Sequence, residues 1–474
     1  MFFDSQTVKT ITVDELRRNV EGSVVAADEP TYNTMRQAWN LAYNQYPALI
    51  VVAECTADVA AALRYAEQEK MQVAVMGTGH GVVRAADGAM LINTSRMNGV
   101  QVDPATQTAW VEAGAQWAVV LDKAQAHGLA PLMGSSSDVG AVGYTLGGGL
   151  GWLARKYGLS ADSVNFFEVV TADGQVRHAS PTENPDLFWG LRGGGGAFAV
   201  VTGMEIKLYP VTQVYAGNLL YPVSQGKEVF TRYRQWIKTL PNEMTTSIVI
   251  MNFPSMPELP EFLRGKSFVM VRGCYTGDLE EGEKLIHPWL EWQQPVVNFF
   301  GAIPFSQADT ISNDPKEPMP TYISGGWMRE LNDEVIDTLL NYGISNYGSS
   351  PLTVVEVRHA GGQVTRLSHN SPIGHRQMEH VLCVVAAIPT PQMAEQVKQY
   401  VQTMKQELAP VMEGVYLNFL EGEEIRKRTK DAYSLESYEW LMRVKAKYDP
   451  NKRFDHAFNI PASRPVRHIE PVEA

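Results

Sequence analysis

The sequence predicts an α+β protein of two domains closed by a C-terminal segment, and three observations point there. Residues 48–77 read as a strand, a helix and a second strand. Two glycine clusters, at 147–151 and 193–196, punctuate the first 210 residues. Beyond Pro210 the texture changes to long strands and amphipathic helices with no comparable clusters. The expected boundaries are 1–210, 211–410 and 411–474, and a chain of 474 residues is long enough for cores of that number.

The elements follow in order. "ALIVVA" has the pattern of a buried strand, Thr56 and Asp58 open a helix through "VAAALRYAEQEK", and "QVAVMG" is the next strand. "MLINTS", "GVQVDP" and "TAWVEAGA" read as strands and "WAVVLDKAQAHG" as a helix. "VNFFEVVTADGQVRHAS" reads as a hairpin turning at Asp173-Gly174. In the middle region "SIVIMNF", "SFVMVRGCY" and "LTVVEVRHAGG" are strands, and "QMAEQVKQYVQTMKQELA" is a helix. "GVYLNF" and "FNIPAS" in the tail are short and motif-like.

Composition excludes several classes of partner. A formal net charge of −12 argues against nucleic acid, because phosphate binding needs concentrated Lys and Arg. No apolar run approaches the roughly 18 residues of a spanning helix, so no membrane partner is expected. The N-terminus has neither a basic region nor a long apolar one, which predicts a cytoplasmic protein. Cys55, Cys274 and Cys383 are isolated, so neither a disulfide framework nor a metal site is expected. Nothing in the sequence bears on oligomeric state.

"VMGTGHGVV" sets His80 among three glycines at the end of an apolar run. Glycine lets a backbone or a ligand come close, and N–H groups in such turns suit an anionic or planar ligand. Tight turns without a ligand leave the same pattern, and a turn histidine is often only a hydrogen-bonded surface residue. "GGGLGWL" lacks the preceding strand of a dinucleotide fingerprint.

The stretches "VMGTGHGVV", "GYTLGGGLGWLARKYGLSADSV", "DLFWGLRGGGGAFAVVT", "VYLNF" and "VKAKYDPNKRF" resemble, in this order, motifs of the covalent FAD oxidases of the vanillyl-alcohol-oxidase (PCMH-type) superfamily. The likeness is nearest to the berberine-bridge-enzyme-like branch. It spans roughly residues 45–210 and 411–462, while the middle region contributes only "VEVRHAGG" and "GHR". The resemblance implies a two-domain FAD-binding fold whose substrate domain is an antiparallel sheet flanked by helices. It also implies FAD joined covalently to His80 through the flavin 8α-methyl. Gly77, Thr78, Gly79, His80 and Gly81 would hold the pyrophosphate and anchor the ring. Gly143 and Tyr144 would lie along the ribityl chain, and Gly147, Gly148 and Gly149 would let the chain pass close to the cofactor. Val200 and Val201 would line the adenine end.

The sequence departs from the family at several positions. Relatives with a second covalent link carry a cysteine eleven residues before the triple glycine, where this chain has Ser136. A serine hydroxyl is a poor substitute for a thiolate, so a single link through His80 is expected. Met76 replaces the usual Arg, Ala197 and Ala199 replace Asn and Gly, and Ala457 replaces a flavin-contacting Asn, with Asn459 close by. Val139 stands where valine accompanies fast reaction with O2, which favours an oxidase. In the "Tyr-x-Asn" motif of Tyr416 and Asn418 the tyrosine would serve as base, its phenol lowered by a cation for which Arg358 is the candidate. Alternation puts Val354, Glu356 and Arg358 on one strand face, either into the pocket or as an ion pair on the sheet. Arg376 reads as structural. Tyr322, Trp327, Trp289 and Phe300 are either pocket aromatics or core. The expected reaction is hydride transfer from a small aromatic, heterocyclic or secondary-metabolite alcohol or amine to flavin, with O2 as acceptor. A carbohydrate oxidase of the same family, a flavin-binding member without turnover, and a noncovalent reductase of related fold are the alternatives.

Overall fold

A computed structural model describes residues 11–344 and 350–463. The first ten residues, on which the reading of the N-terminus partly rests, lie outside them. The strand–helix–strand unit is present as Leu49–Val52, Thr56–Gln68 and Val73–Met76. Its two strands are not neighbours, because Met90–Asn93 is inserted between them, parallel to both. Ser23–Ala26 completes this four-stranded sheet on the outer edge of Leu49–Val52.

A second, antiparallel sheet runs in the order Val100–Asp103, Thr108–Glu112, Val200–Lys207, Val164–Val170 and Val176–Ala179, the last two being the expected hairpin. The Thr56–Gln68 helix joins the two sheets. Its small residues Ala60, Ala61, Ala62 and Ala66 allow close approach to Val51, Ile92 and Met90 on one side and to Val170 and Val200 on the other. Burying such aliphatic side chains contributes about 1.5–3 kcal/mol each for the larger ones.

The third sheet is antiparallel and has eight strands drawn from residues 213–387. Period-two alternation divides its faces. Ile248, Ile250, Val269, Val271, Val355, Val357, Leu382 and Val384 face a core shared with helices Gly226–Trp236, Leu279–Trp292, Asp333–Gly343 and Pro391–Glu407. The opposite face is different in kind. Strand registers align Asn218, Arg272, Ser247, Arg358, Val381 and Trp327 in one row across it. From this largely polar row Arg358 reaches the Leu150 carbonyl of the glycine-rich first part of the chain, while Asn218 and Arg272 donate to the Ile311 and Ser312 carbonyls.

The core of the five-stranded sheet also takes in Val415, Leu417, Leu441 and Val444 from the C-terminal segment. It continues past Pro210 into Val214, Ala216, Cys274, Phe305 and Ile311. The change of texture at Pro210 therefore marks a change of architecture but not a break in packing.

Where the large sheet meets the first part of the chain, two buried histidines lie opposite each other, His359 and His380. Burial, the Arg155 charge and His380 push the His359 pKa well down, and burial brings His380 to about 4. Both are neutral in the folded chain at pH 7, whereas the unfolded chain binds these protons near pH 6.5. Stability is therefore expected to fall as pH drops from about 6.5 toward 4, by on the order of 1–3 kcal/mol from His380. Urea midpoints at pH 7 and pH 5 measure this, and His380→Leu should flatten the difference. An unchanged slope in the variant rejects the assignment.

Candidate active site

The Val73–Met76 strand delivers residues 77–81 to the end of the four-stranded sheet. The amides of Trp39 and Asn40 donate to the carbonyls of Thr78 and Gly79, at 3.2 and 3.1 Å. Gly79 sits at φ +78°, and a Cβ there would lie 2.6 Å from the Ala38 Cα, so only glycine fits. The His80 ring stacks on Trp39, centroids 4.1 Å apart and planes 18° apart. Its Nε2 lies 2.9 Å from Asp138 Oδ2, and Ser136 donates its hydroxyl to the other carboxylate oxygen at 2.7 Å. Burial pushes the Asp138 pKa up, but the bonds from His80 and Ser136 outweigh it and hold the carboxyl below its ordinary range.

Thr78 Oγ1 accepts from the Gly140 amide, at 3.3 Å, which ties the His80 loop to the segment that leads into the first glycine cluster. Val139 is half-buried against the core of the five-stranded sheet. Gly143 faces open space, and the neighbouring Tyr144 turns inward. Gly147 has a definite reason to lack a side chain, because a Cβ there would fall 1.8 Å from Asn418 Oδ1. Gly148 and Gly149 adopt φ of +112° and +82° and pack against Ile373, Tyr144 and Ser160. The close approach that these glycines permit is in large part an approach of the chain to itself.

Tyr416 is held at the same place. Its Oη accepts hydrogen bonds from the amides of Gly149 (3.0 Å) and Leu150 (2.9 Å) and from Asn418 Nδ2 (3.3 Å). Asn418 also donates to the Tyr144 carbonyl. Arg358 reaches from the sheet to the Leu150 carbonyl, stacks over Phe419, and bonds through Nε to Glu356 Oε2 at 2.8 Å. Glu356 is buried and also faces Arg272, 3.6 Å away. The two arginines overcome its burial and keep it below the ordinary carboxylate range. Glu356 thus anchors two arginines as an ion pair on the sheet, while Arg358 also lines a cavity. A small cavity opens here, lined by Leu150, Trp152, Thr245, Ser247 and Arg358 among others.

Several expectations are corrected. Burial raises the Tyr416 pKa, and Leu150, Arg358, Asn418 and Gly149 offset this only in part, so the phenol is not lowered as expected. Asn459 is exposed and caps the chain at Arg426 through its side chain, which removes it from the site. Val200 and Val201 spend their side chains on the cores of the two small sheets. The second glycine cluster is crowded by Ile373, Phe198 and Phe458 of the chain itself. Trp289 and Tyr322 belong to the core under the helices, and Phe300 packs at its margin. Trp327 does face the site, its ring 6.0 Å from that of Tyr416. Arg376 forms a buried ion pair with Asp162, as a structural residue would.

Sequence reasoning missed Trp39, Asp138 and Arg272. Trp39 is distant in sequence and carries no motif. Asp138 lies inside "GSSSDVG", where no spacing rule ties a carboxylate to a histidine 58 residues earlier. Arg272 was legible in the alternation of "SFVMVRGCY".

An FAD molecule needs amides for its pyrophosphate, room for a flat ring and polar groups at the ring edge. Among the described residues, no group in the chain accepts from the amides of residues 78–81. A Cβ on Gly81 or Gly143 would meet nothing within 4 Å. Beside the first glycine cluster and the cavity at Arg358, Tyr144 Oη, Trp152 Nε1 and Thr245 Oγ1 are buried without partners. These residues fit the cofactor. Among the described residues there is no cluster of His, Cys, Asp or Glu that could hold a metal ion, and no helix is long and apolar enough to cross a membrane.

Comparison with known proteins agrees. Residues 47–180 match the FAD binding domain family, and residues 415–461 match the family described as berberine and berberine like. An FAD-linked oxidoreductase of Dictyostelium discoideum is 29% identical, over 95% of this chain and 97% of its own. The (R)-6-hydroxynicotine oxidase of Paenarthrobacter nicotinovorans is 26% identical, over 93% of this chain and 97% of its own. The solved structure of 6-hydroxy-D-nicotine oxidase from Arthrobacter nicotinovorans has the same fold, with a TM-score of 0.83 at 23% identity over 94% of this chain and 98% of that one. With an FAD-binding segment before it and a berberine-like segment after it, the antiparallel sheet that brings Glu356 and Arg358 to Tyr416 sits in a chain that carries both matched segments of the FAD-linked oxidoreductases of the berberine-bridge-like kind.

Proposed function

We propose that this protein is an oxidase with a single histidyl-linked FAD, acting on a small aromatic, heterocyclic or secondary-metabolite alcohol or amine. The observation that carries this reading is the convergence of Tyr416, Arg358 and Glu356 where the polar sheet face meets the first glycine cluster. Bound FAD supplies the hydride acceptor, and O2 is the electron acceptor in this reading. Tyr416 takes the proton from the substrate hydroxyl or amine. The amides of Gly149 and Leu150 and the amide of Asn418 hold the phenolate oxygen in place. Arg358 is fixed in turn by Glu356 and the Leu150 carbonyl. Trp327, Phe419 and Leu150 exclude water around the Tyr416 ring.

The test is a panel of aromatic and heterocyclic alcohols and amines set against oligosaccharides, read by flavin bleaching without air and by hydrogen peroxide with it. Bleaching by oligosaccharides alone overturns the substrate class, and bleaching without peroxide in air overturns the oxidase. No bleaching by any compound points to a binding protein without turnover.

For the linkage, His80→Ala is expected to abolish protein-bound flavin after acid precipitation, whereas the wild type keeps it in a peptide containing His80. Flavin released by acid from the wild type rejects the link. A second flavin-bearing peptide containing Ser136 rejects a single one.

A further inference from the structure

The oxidation reaction makes no use of the chain Ser136–Asp138–His80. In this order the carboxylate stands between the serine and the imidazole, so the serine is not the group being activated. The histidine is the terminal member, and everything around it restricts its freedom. Trp39 fixes the plane of the ring. Asp138 offers only acceptor oxygens when ionised, so the ring nitrogen facing it, Nε2, must carry the proton. Ser136 occupies the other carboxylate oxygen and keeps Asp138 from turning away. What remains is Nδ1, which in this tautomer carries a lone pair.

We propose that Asp138 is a positioning residue for covalent attachment of FAD, fixing His80 as the Nε2–H tautomer so that Nδ1 forms the bond to the flavin ring methyl. The proposal rests on the reading of His80 as the tether. In the attachment, Nδ1 donates its electron pair to the methyl carbon, and that carbon loses one hydrogen as a proton. The alkylated imidazole gives up its Nε2 proton, whose departure Asp138 assists as the facing acceptor. The two electrons left on the flavin ring pass to O2, which with two protons yields one hydrogen peroxide for each bond formed. A neutral imidazole becomes cationic while Nδ1 is being alkylated, and the Asp138 carboxylate lies against the nitrogen that shares this charge.

The test follows flavin attachment and not substrate turnover. Wild type, Asp138→Ala, Asp138→Asn, Asp138→Glu and His80→Ala are purified and completed with FAD in air. Total flavin is measured on the folded protein, and covalent flavin is what stays with the protein after acid precipitation at successive times. Asp138→Ala should bind FAD to a similar total but attach it at least about tenfold more slowly, the scale by which metal-ligating histidines suffer when they lose an orienting carboxylate. Asp138→Asn, which keeps an acceptor but loses the charge, should fall between, and Asp138→Glu should restore part of the rate. NMR of the flavin peptide should show the bond at Nδ1.

Attachment at the wild-type rate in Asp138→Ala, or a bond at Nε2, overturns the role of Asp138. If Asp138→Ala holds no flavin, the rates of the Asn and Glu variants decide, and equal rates in both overturn it. A wild type without covalent flavin, or a His80→Ala variant that retains it, defeats the tether itself and is thereby told apart from failure of the Asp138 role.

Discussion

Replacing Tyr416 with Phe is expected to slow reduction of the bound flavin by substrate about 10²-fold or more. The hydroxyl that this removes accepts three hydrogen bonds and, among the described residues, has no acceptor for its own proton. Such a setting suits an oxygen that carries negative charge, because donors converging on a lone oxygen stabilise the anion. Burial works the other way and dominates, so the phenol sits above its ordinary value near 10. The sign of the pH dependence follows. Below that pKa the phenol is protonated, and the phenolate fraction rises about tenfold for each pH unit. The reduction rate of the wild type should therefore climb through pH 7 to 10 without a plateau, and the Phe variant should lose the climb. Rapid mixing of enzyme and substrate without air measures both. A rate independent of pH, or near-normal reduction in the variant, removes Tyr416 as the base. The Phe variant also leaves the Gly149 and Leu150 amides unpaired, at a cost of about 1–3 kcal/mol, so flavin content and melting temperature are recorded with the rates.

Local pattern carried much of this architecture. The alternation in "TVVEVRHAGG" placed Glu356 and Arg358 on one face, and the register with Ser247 and Val381 shows which face that is. The hairpin at Asp173-Gly174 and the long helix Pro391–Glu407 follow from turn chemistry and 3.6-residue periodicity in the same way. What was not legible depends on contacts between distant residues. Nothing within residues 48–77 says that Met90–Asn93 will enter between the two strands, since parallel neighbours are chosen by the whole sheet. The second glycine cluster looks like the first, yet its neighbours Ile373 and Phe458 come from far along the chain. The stacking of Trp39 on His80 is of the same kind. The direction of the Tyr416 shift was missed because a motif specifies the donors around a phenol but not how deeply it is buried.

Arg376 illustrates a residue whose importance comes from burial alone. It is fully buried, and its guanidinium donates to both oxygens of Asp162, to the Val364 carbonyl and to Ser371 Oγ. Asp162 also accepts from the Leu159 amide, in a turn whose residues Ser160 and Ala161 donate to the carbonyls of Gly149 and Gly148. The ion pair therefore clamps the segment between strands Val354–His359 and His380–Ala387 to the glycine segment that supports Tyr416. Arg376→Ala is expected to destabilise the fold by about 3–5 kcal/mol, because it leaves the buried Asp162 carboxylate without its hydrogen-bonded cation and with only the Arg192 charge nearby. The mechanism is distinguished by the double variant Arg376→Met with Asp162→Leu, which removes both charges and fills the space. It should recover part of the loss, since desolvating a charge costs more than losing the pair, while the Arg192 charge that also faces Asp162 stays. Urea unfolding of the three proteins decides the matter. If the double variant is as unstable as the single one or more so, the hydrogen bonds to Val364 and Ser371 hold this junction, and the buried charge is not the cause.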